Sequence, residues 1–399
     1  MRQERDRQAG AAAVVEARRR LAAGDAQGAF RALRACAVEH PTYAPAYVEA
    51  ARLLLSRGDR GGATQLLSDA LGRVDEAGRG VIAGALAGLL ADIRVTGWHP
   101  RLEADVIACL VEAGVDAQLL SRTAADLLLA KYTKADEVDL ADLGGDPLAL
   151  AFLSRCLNVQ PEMEVWLVAV RARLVQQANG GHLSDAMRTL TCAMALQAFA
   201  AEYLAAPVAM EADAVERLRS AGDGTGAALM AALSQPLIGL GHLGLEAGEV
   251  SEVGDGLGAM LLKRTLDDLQ LERALAETML GPDGVGSEDQ ISAKVRLQYE
   301  ENPYPRWLTA PVAERGKLST ALAAMAAFDG RPPDLRRILI AGCGTGYEAI
   351  DIARCQPGSP GRRRGPEPRQ PGLWAADGGR TGRRQCVVSA GRHSGSDGD

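Results

Sequence analysis

The sequence predicts a mainly α-helical chain whose C-terminal part opens an α/β unit and does not complete it. Three observations carry this reading. A short glycine–aspartate motif recurs 34 residues after its first appearance. Apolar residues keep three- and four-residue spacing as far as about residue 280. A single strand–glycine turn–helix pattern near residue 340 then runs into a stretch that cannot bury a core.

The repeat comes first. Gly24-Asp25-x-x-Gly28-Ala29 returns as Gly58-Asp59-x-x-Gly62-Ala63. Leu33 then aligns with Leu67, Cys36 with Ala70, and Pro41 falls where one unit breaks before the next begins at Ala44. The first glycine suits a left-handed helix end, the aspartate caps the next helix, and the small residue lets two helices approach. Residues 14–78 therefore resemble tetratricopeptide (TPR) repeats, whose period is the same. The resemblance implies two stacked antiparallel helix pairs and a groove for a protein or peptide partner.

From 79 to 280 the spacing stays helical while that period is lost. Leu148 to Leu157, Val165 to Gln177, Ala186 to Tyr203 and Leu261 to Leu280 each read as helices. Turns are marked by Gly97-Trp98-His99-Pro100, Asn179-Gly180-Gly181, Ala221-Gly222-Asp223-Gly224 and Pro236. Gly254-Asp-Gly-Leu-Gly258 resembles a phosphate loop, yet no apolar strand precedes it, so it reads as a turn between helices. Residues 281–287, rich in glycine and polar residues, read as a linker.

Residues 288–354 read as the start of a second domain. Ile338-Leu-Ile-Ala341 is a β-branched apolar run passing into Gly342-Cys-Gly344-Thr-Gly346, and Tyr347 to Arg354 follows as an amphipathic helix. Glycines are required there because a cofactor lying against the backbone leaves no room for a Cβ and because the turn demands unusual torsions. A dinucleotide fingerprint needs its third glycine at 347, where the chain has Tyr347, which disfavours a nucleotide-binding oxidoreductase. Between the turn glycines Cys343 reads as a small packing residue, not a nucleophile.

The glycine spacing is similar to motif I of class I S-adenosylmethionine-dependent methyltransferases. Upstream, Gln298-Tyr-Glu-Glu-Asn-Pro303-Tyr-Pro305-Arg-Trp307 looks like the YEENPYPRW segment of the TPR-containing methyltransferases, and the stretches Asp146 to Arg171 and Leu196 to Tyr203 resemble that family loosely. The resemblance covers most of residues 14–354. It implies a Rossmann-like domain and S-adenosylmethionine as cofactor, with Gly342, Cys343, Gly344, Thr345 and Gly346 beside its methionine part. Tyr299, Asn302, Tyr304 and Trp307 then form either a stiff aromatic lid over the sulfonium or an anchor between the helical arm and the sheet. Ala341 departs from the acid that many class I relatives carry there.

After Arg354 the expected second strand, ending in an acid for the ribose hydroxyls, is missing. The last 44 residues hold ten Gly, eight Arg, five Pro and one Leu. Such a composition buries no core. Residues 355–399 read as a disordered basic tail, either natural or produced by a frameshift. The scarcity of lysine, five in the whole chain, suggests a GC-rich gene. A one-base shift in the Cys355 codon permits a strand VVAV ending in Asp, a helix, and a strand leading to QAD, the order such a fold requires. The frameshift is the preferred account, and the chain as written is expected to be catalytically incomplete.

Charge and composition narrow the alternatives. A net charge of −7 argues against general nucleic-acid binding, and the eight Arg against four acids in 356–399 leave the remainder at −11. The seven cysteines show no CxxC pair and no nearby histidine partner, so neither a zinc site nor a disulfide framework is signalled. His40, His99, His182 and His242 never fall at ligand spacing. The apolar stretch Val81 to Leu90 is too short to span a bilayer, and the N-terminus lacks a secretory pattern, so a cytoplasmic protein without membrane contact is expected. The competing function is a helical-repeat interaction module with no catalytic activity.

Overall fold

In a computed structural model, residues 2–91, 93–243, 248–279, 308, 337–341, 350–352, 375–376 and 385–389 are described. The chain divides into two compact units, Met1–Met279 and Leu280–Asp399.

The first unit is helical throughout its described residues. Two helical hairpins open it, α1 (Arg2–Ala22) with α2 (Ala26–Glu39) and α3 (Ala44–Ser56) with α4 (Arg60–Leu71). Gly24 and Gly58 sit at the two turns with φ of +83° and +78°, a conformation that costs an L side chain about 1–2 kcal/mol. Asp25 and Asp59 cap α2 and α4 by accepting the N–H of Gly28 and Gly62, each at 2.7 Å. The aligned pairs Ala29/Ala63, Leu33/Leu67 and Cys36/Ala70 are all buried. The two stacked pairs expected from the 34-residue echo are therefore present.

α3 explains why such hairpins stack. Its Ala46, Ala50 and Leu53 join Val14, Ala17 and Leu33 in a small N-terminal core, while Ala44, Tyr47 and Ala51 belong to the main core. A helix buried on two faces stabilises only as a layer between neighbours, the logic of a solenoid. The Tyr47 hydroxyl donates to the carbonyls of Ala37 and Pro41, so its burial leaves no polar atom unpaired.

The array continues through α5 (Glu76–Leu90), α6 (Pro100–Val111), α7 (Ser121–Lys131), α8 (Leu140–Gly144), α9 (Pro147–Arg155), α10 (Pro161–Ala178), α11 (Asp185–Ala200), α12 (Glu211–Ser220), α13 (Gly224–Ala231), α14 (Leu257–Leu262) and α15 (Asp268–Met279). A π-helical turn, Lys263–Asp267, joins the last two. The four segments expected to be helical coincide with α9, α10, α11 and the α14–α15 stretch. The α12–α13 hairpin carries a third copy of the cap: Gly222 has φ +83°, Asp223 accepts the Gly226 N–H at 2.8 Å, and Ala227 is buried. Gly254-Asp-Gly-Leu-Gly258 is a turn leading from a 3-10 segment into α14, as expected. No helix among the described residues is long and apolar enough to cross a membrane.

In the second unit, β1 (Arg337–Ala341) is the strand expected before the glycine turn, and residues 350–352 are helical as expected for 347–354. Its neighbours correct the sequence reading. β3 (Gln385–Ser389) pairs antiparallel with β1, Ile338 opposite Val388 and Ile340 opposite Cys386, and β2 (Ala375–Ala376) pairs antiparallel on the far side of β3. The described strands thus form no parallel Rossmann-like sheet, β1 is not without a partner, and part of the tail expected to be disordered is extended. The physical reason is the unsatisfied backbone: a lone strand leaves its N–H and C=O groups unpaired, and Cys386-Val-Val is the tail's one β-branched apolar run. The expected linker at 281–287 lies outside the described residues.

Candidate functional site

β1 ends at Ala341, one residue before the predicted cofactor loop, and the helical residues 350–352 lie four residues beyond it. Gly342, Cys343, Gly344, Thr345 and Gly346 fall outside the described residues, as do Tyr299, Asn302, Tyr304 and Trp307; Leu308, next to the last of these, is half-buried in a bend. Strand, loop and helix thus keep the predicted order, while no side-chain geometry among the nine predicted residues is described.

The helical unit holds two charged clusters that the sequence did not single out. In the first, Lys131 at the end of α7 reaches Glu103 of α6 at 2.6 Å and Asp146, the N-cap of α9, at 2.7 Å. The Tyr132 hydroxyl donates to Asp146 at 2.7 Å, the Trp98 indole donates to Glu103 at 2.5 Å, and Asp146 also accepts the N–H groups of Leu148 and Ala149. Trp166 of α10 donates to the Tyr132 carbonyl at 3.1 Å and lies 6.3 Å from its ring centroid. Burial pushes the Asp146 carboxyl up, but hydrogen bonds from Lys131 and Tyr132 outweigh it and hold Asp146 below the usual aspartate value. Burial acts downward on Lys131 too, and Asp146 and Glu103 reverse that and raise it. Burial and the neighbouring Asp146 push the Tyr132 hydroxyl well up. Every carboxylate is engaged and Tyr132 stays protonated at neutral pH, so the cluster ties α6, α7, α9 and α10 together and offers no acid or base for chemistry.

The second cluster is more deeply buried. Arg171 of α10 donates Nε to Glu211 Oε2 at 3.0 Å and Nη2 to Glu211 Oε1 at 2.7 Å, with Ser234 Oγ at 2.8 Å from Nη2. Both charged side chains are only 6 % exposed. A bidentate pair of this kind supplies geometry and local neutrality more than net stability.

Other chemistries find no support among the described residues. No group of three or more His, Cys, Asp or Glu there could hold a metal ion. Cys36, Cys109, Cys156 and Cys192 are free and buried, and burial pushes the thiols of Cys109 and Cys192 up to about 12, away from nucleophilic use. The cysteine reading from sequence holds for these four.

No protein-family model, curated protein or solved structure matches the chain.

Proposed function

We propose that the chain is a helical-repeat arm joined to the start of an S-adenosylmethionine-dependent methyltransferase domain of the TPR-containing type, catalytically incomplete as written. One observation carries the reading: Tyr299 to Trp307 and Gly342 to Gly346 hold two separate motifs of that family in the right order. The strand β1 immediately before Gly342 supports it, because a glycine turn of this type follows a strand.

The described strands do not complete a cofactor pocket. A class I site takes its ribose and adenine carboxylates from the ends of parallel strands beyond the glycine loop, whereas β2 holds only alanines and β3 runs antiparallel to β1 and ends at Ser389. Losing two or three hydrogen bonds to charged groups, at ~1.5–3 kcal/mol each, lowers affinity by several powers of ten. Isothermal titration with S-adenosylmethionine tests this. The 399-residue chain is expected to show little or no binding, and the chain with its reading frame restored after Arg354 is expected to bind. Micromolar binding by the former overturns the claim of incompleteness, and failure of the latter overturns the family.

A second reading, a helical-repeat interaction module in the cytoplasm with no catalytic activity, is favoured by the stacked hairpins α1–α4. Their groove is the expected seat of a protein or peptide partner, and nucleic acid and membrane are not expected ligands. Binding assays with residues 1–280 test it independently of the cofactor.

A further inference from the structure

Between α10 and α11 the helical unit opens a cleft of about 500 Å3, open to solvent on one side. Leu153, Leu167, Val168, Met194, Ala198 and Leu204 make its walls apolar. The apolar surface continues past the mouth, where Val165 and Leu204 are 72 % and 73 % exposed. The turn that closes one end holds two consecutive non-glycine residues, Glu202 and Tyr203, at φ of +52° and +54°. Such strain persists only where the surrounding packing imposes it.

The cleft also carries a specific polar feature. Arg171, itself 5 % exposed, lines it. Nε and Nη2 are taken by Glu211 and Ser234, and Nη1 makes no hydrogen bond among the described residues. The neighbouring Gln197 amide is already used, donating to the Leu153 and Cys156 carbonyls and accepting from the Asn158 N–H. A donor with no acceptor among apolar walls favours a ligand that brings one. Because Glu211 already neutralises the guanidinium, and Glu164 adds negative charge to the lining, an anionic acceptor meets repulsion where a neutral carbonyl does not.

We propose that this cleft docks an apolar peptide segment of a partner protein: a branched aliphatic side chain fills it, and the segment's own main-chain carbonyl accepts from Arg171 Nη1. The neutral acceptor is a backbone amide, and the exposed Val165 and Leu204 at the mouth require cover broader than the cleft itself. The site rests on the interaction reading, yet it lies outside residues 14–78, so its failure leaves the repeat groove untouched.

The test is ligand-observed saturation-transfer NMR on the full chain, with N-acetyl-L-leucinamide as the probe. Saturation is expected to reach the leucine methyls. It is expected to fall at least fivefold in Ala201→Trp, which plugs the rim, and in Leu204→Asp, at an exposed position that folding does not need. N-acetyl-L-leucine, with its carboxylate, is expected to bind at least threefold more weakly, and N-acetylglycinamide to give little signal. Unchanged saturation in both variants, equal binding of the glycine probe, or equal or tighter binding of the carboxylate overturns the proposal.

Discussion

Gly144 at the end of α8 lies so close to α11 that a Cβ there would stand 2.1 Å from the carbonyl oxygen of Ala186. The obstacle is backbone, which no rotamer change can clear. Gly144→Ala is therefore expected to destabilise the helical unit by about 1–3 kcal/mol. Gly84, on the exposed face of α5, meets nothing within 4 Å, and Gly84→Ala is expected to stabilise by about 0.5–1 kcal/mol. Urea titrations followed by far-UV circular dichroism check both signs.

The repeated cap makes a second comparison. Gly58→Ala has open space around the new methyl, so its cost, about 1–2 kcal/mol, comes from the φ of +78° alone. Asp59→Ala removes an exposed N-cap and costs about 1 kcal/mol. Asp223→Ala removes the same kind of cap and also strips Arg188 of a partner 3.0 Å away, on an aspartate side chain that is 8 % exposed. It is expected to cost about 2–3 kcal/mol. Equal losses for the two aspartates would show that the Arg188 pair contributes nothing.

These caps also show what was legible in the sequence. The hairpins of α1–α4 were, because turn, cap and small residue are local and repeat at one period. The third cap at Gly222 was written in the same letters, but its distance from the others is no multiple of 34, so a search by period passes over it. The Lys131 cluster was illegible for a different reason: Trp98, Glu103, Lys131, Asp146 and Trp166 come from separate elements, and only tertiary packing joins them. β1 was legible from its β-branched run, whereas its antiparallel partner 44 residues or more downstream was not, since nothing in either strand specifies which edge it pairs with.

The Lys131 cluster gives the unit a defined pH response. Asp146 is held below its usual value, so its stabilising contribution is present above the unfolded pKa of about 3.9 and is lost as pH falls through the lower, folded value. Lys131 is raised, so its contribution is full below about 10.4 and is lost as pH rises through the folded value. Asp146→Ala removes a helix cap and one of the two carboxylates on Lys131, and is expected to cost about 2–4 kcal/mol at pH 7. Melting temperatures of wild type and variant are expected to converge below about pH 4. A gap that stays constant to pH 3 would assign the loss to packing instead of charge.

The four described cysteines provide a probe of packing that needs no substitution. Thiol alkylation proceeds through the thiolate, and burial pushes Cys109 and Cys192 up to about 12 and Cys156 further still, with Cys36 also raised. At pH 8 a thiol with a pKa of 12 is ionised in roughly one molecule in ten thousand, against about a quarter for an ordinary cysteine near 8.5. Steric burial slows the reaction further, since each of these side chains is at most 2 % exposed. Native protein treated with iodoacetamide at pH 8 should therefore show no modification at Cys109, Cys156 or Cys192 by peptide mass mapping, and full modification in 6 M guanidinium. Labelling in the native state then occurs only through opening of the helical unit, and its rate should rise in Gly144→Ala by the factor that the lost stability dictates. Rapid native labelling at Cys156, whose thiol lies 3.3 Å from the Ala117 carbonyl, would contradict the packing of α9 against the 3-10 turn at Ala117–Leu120.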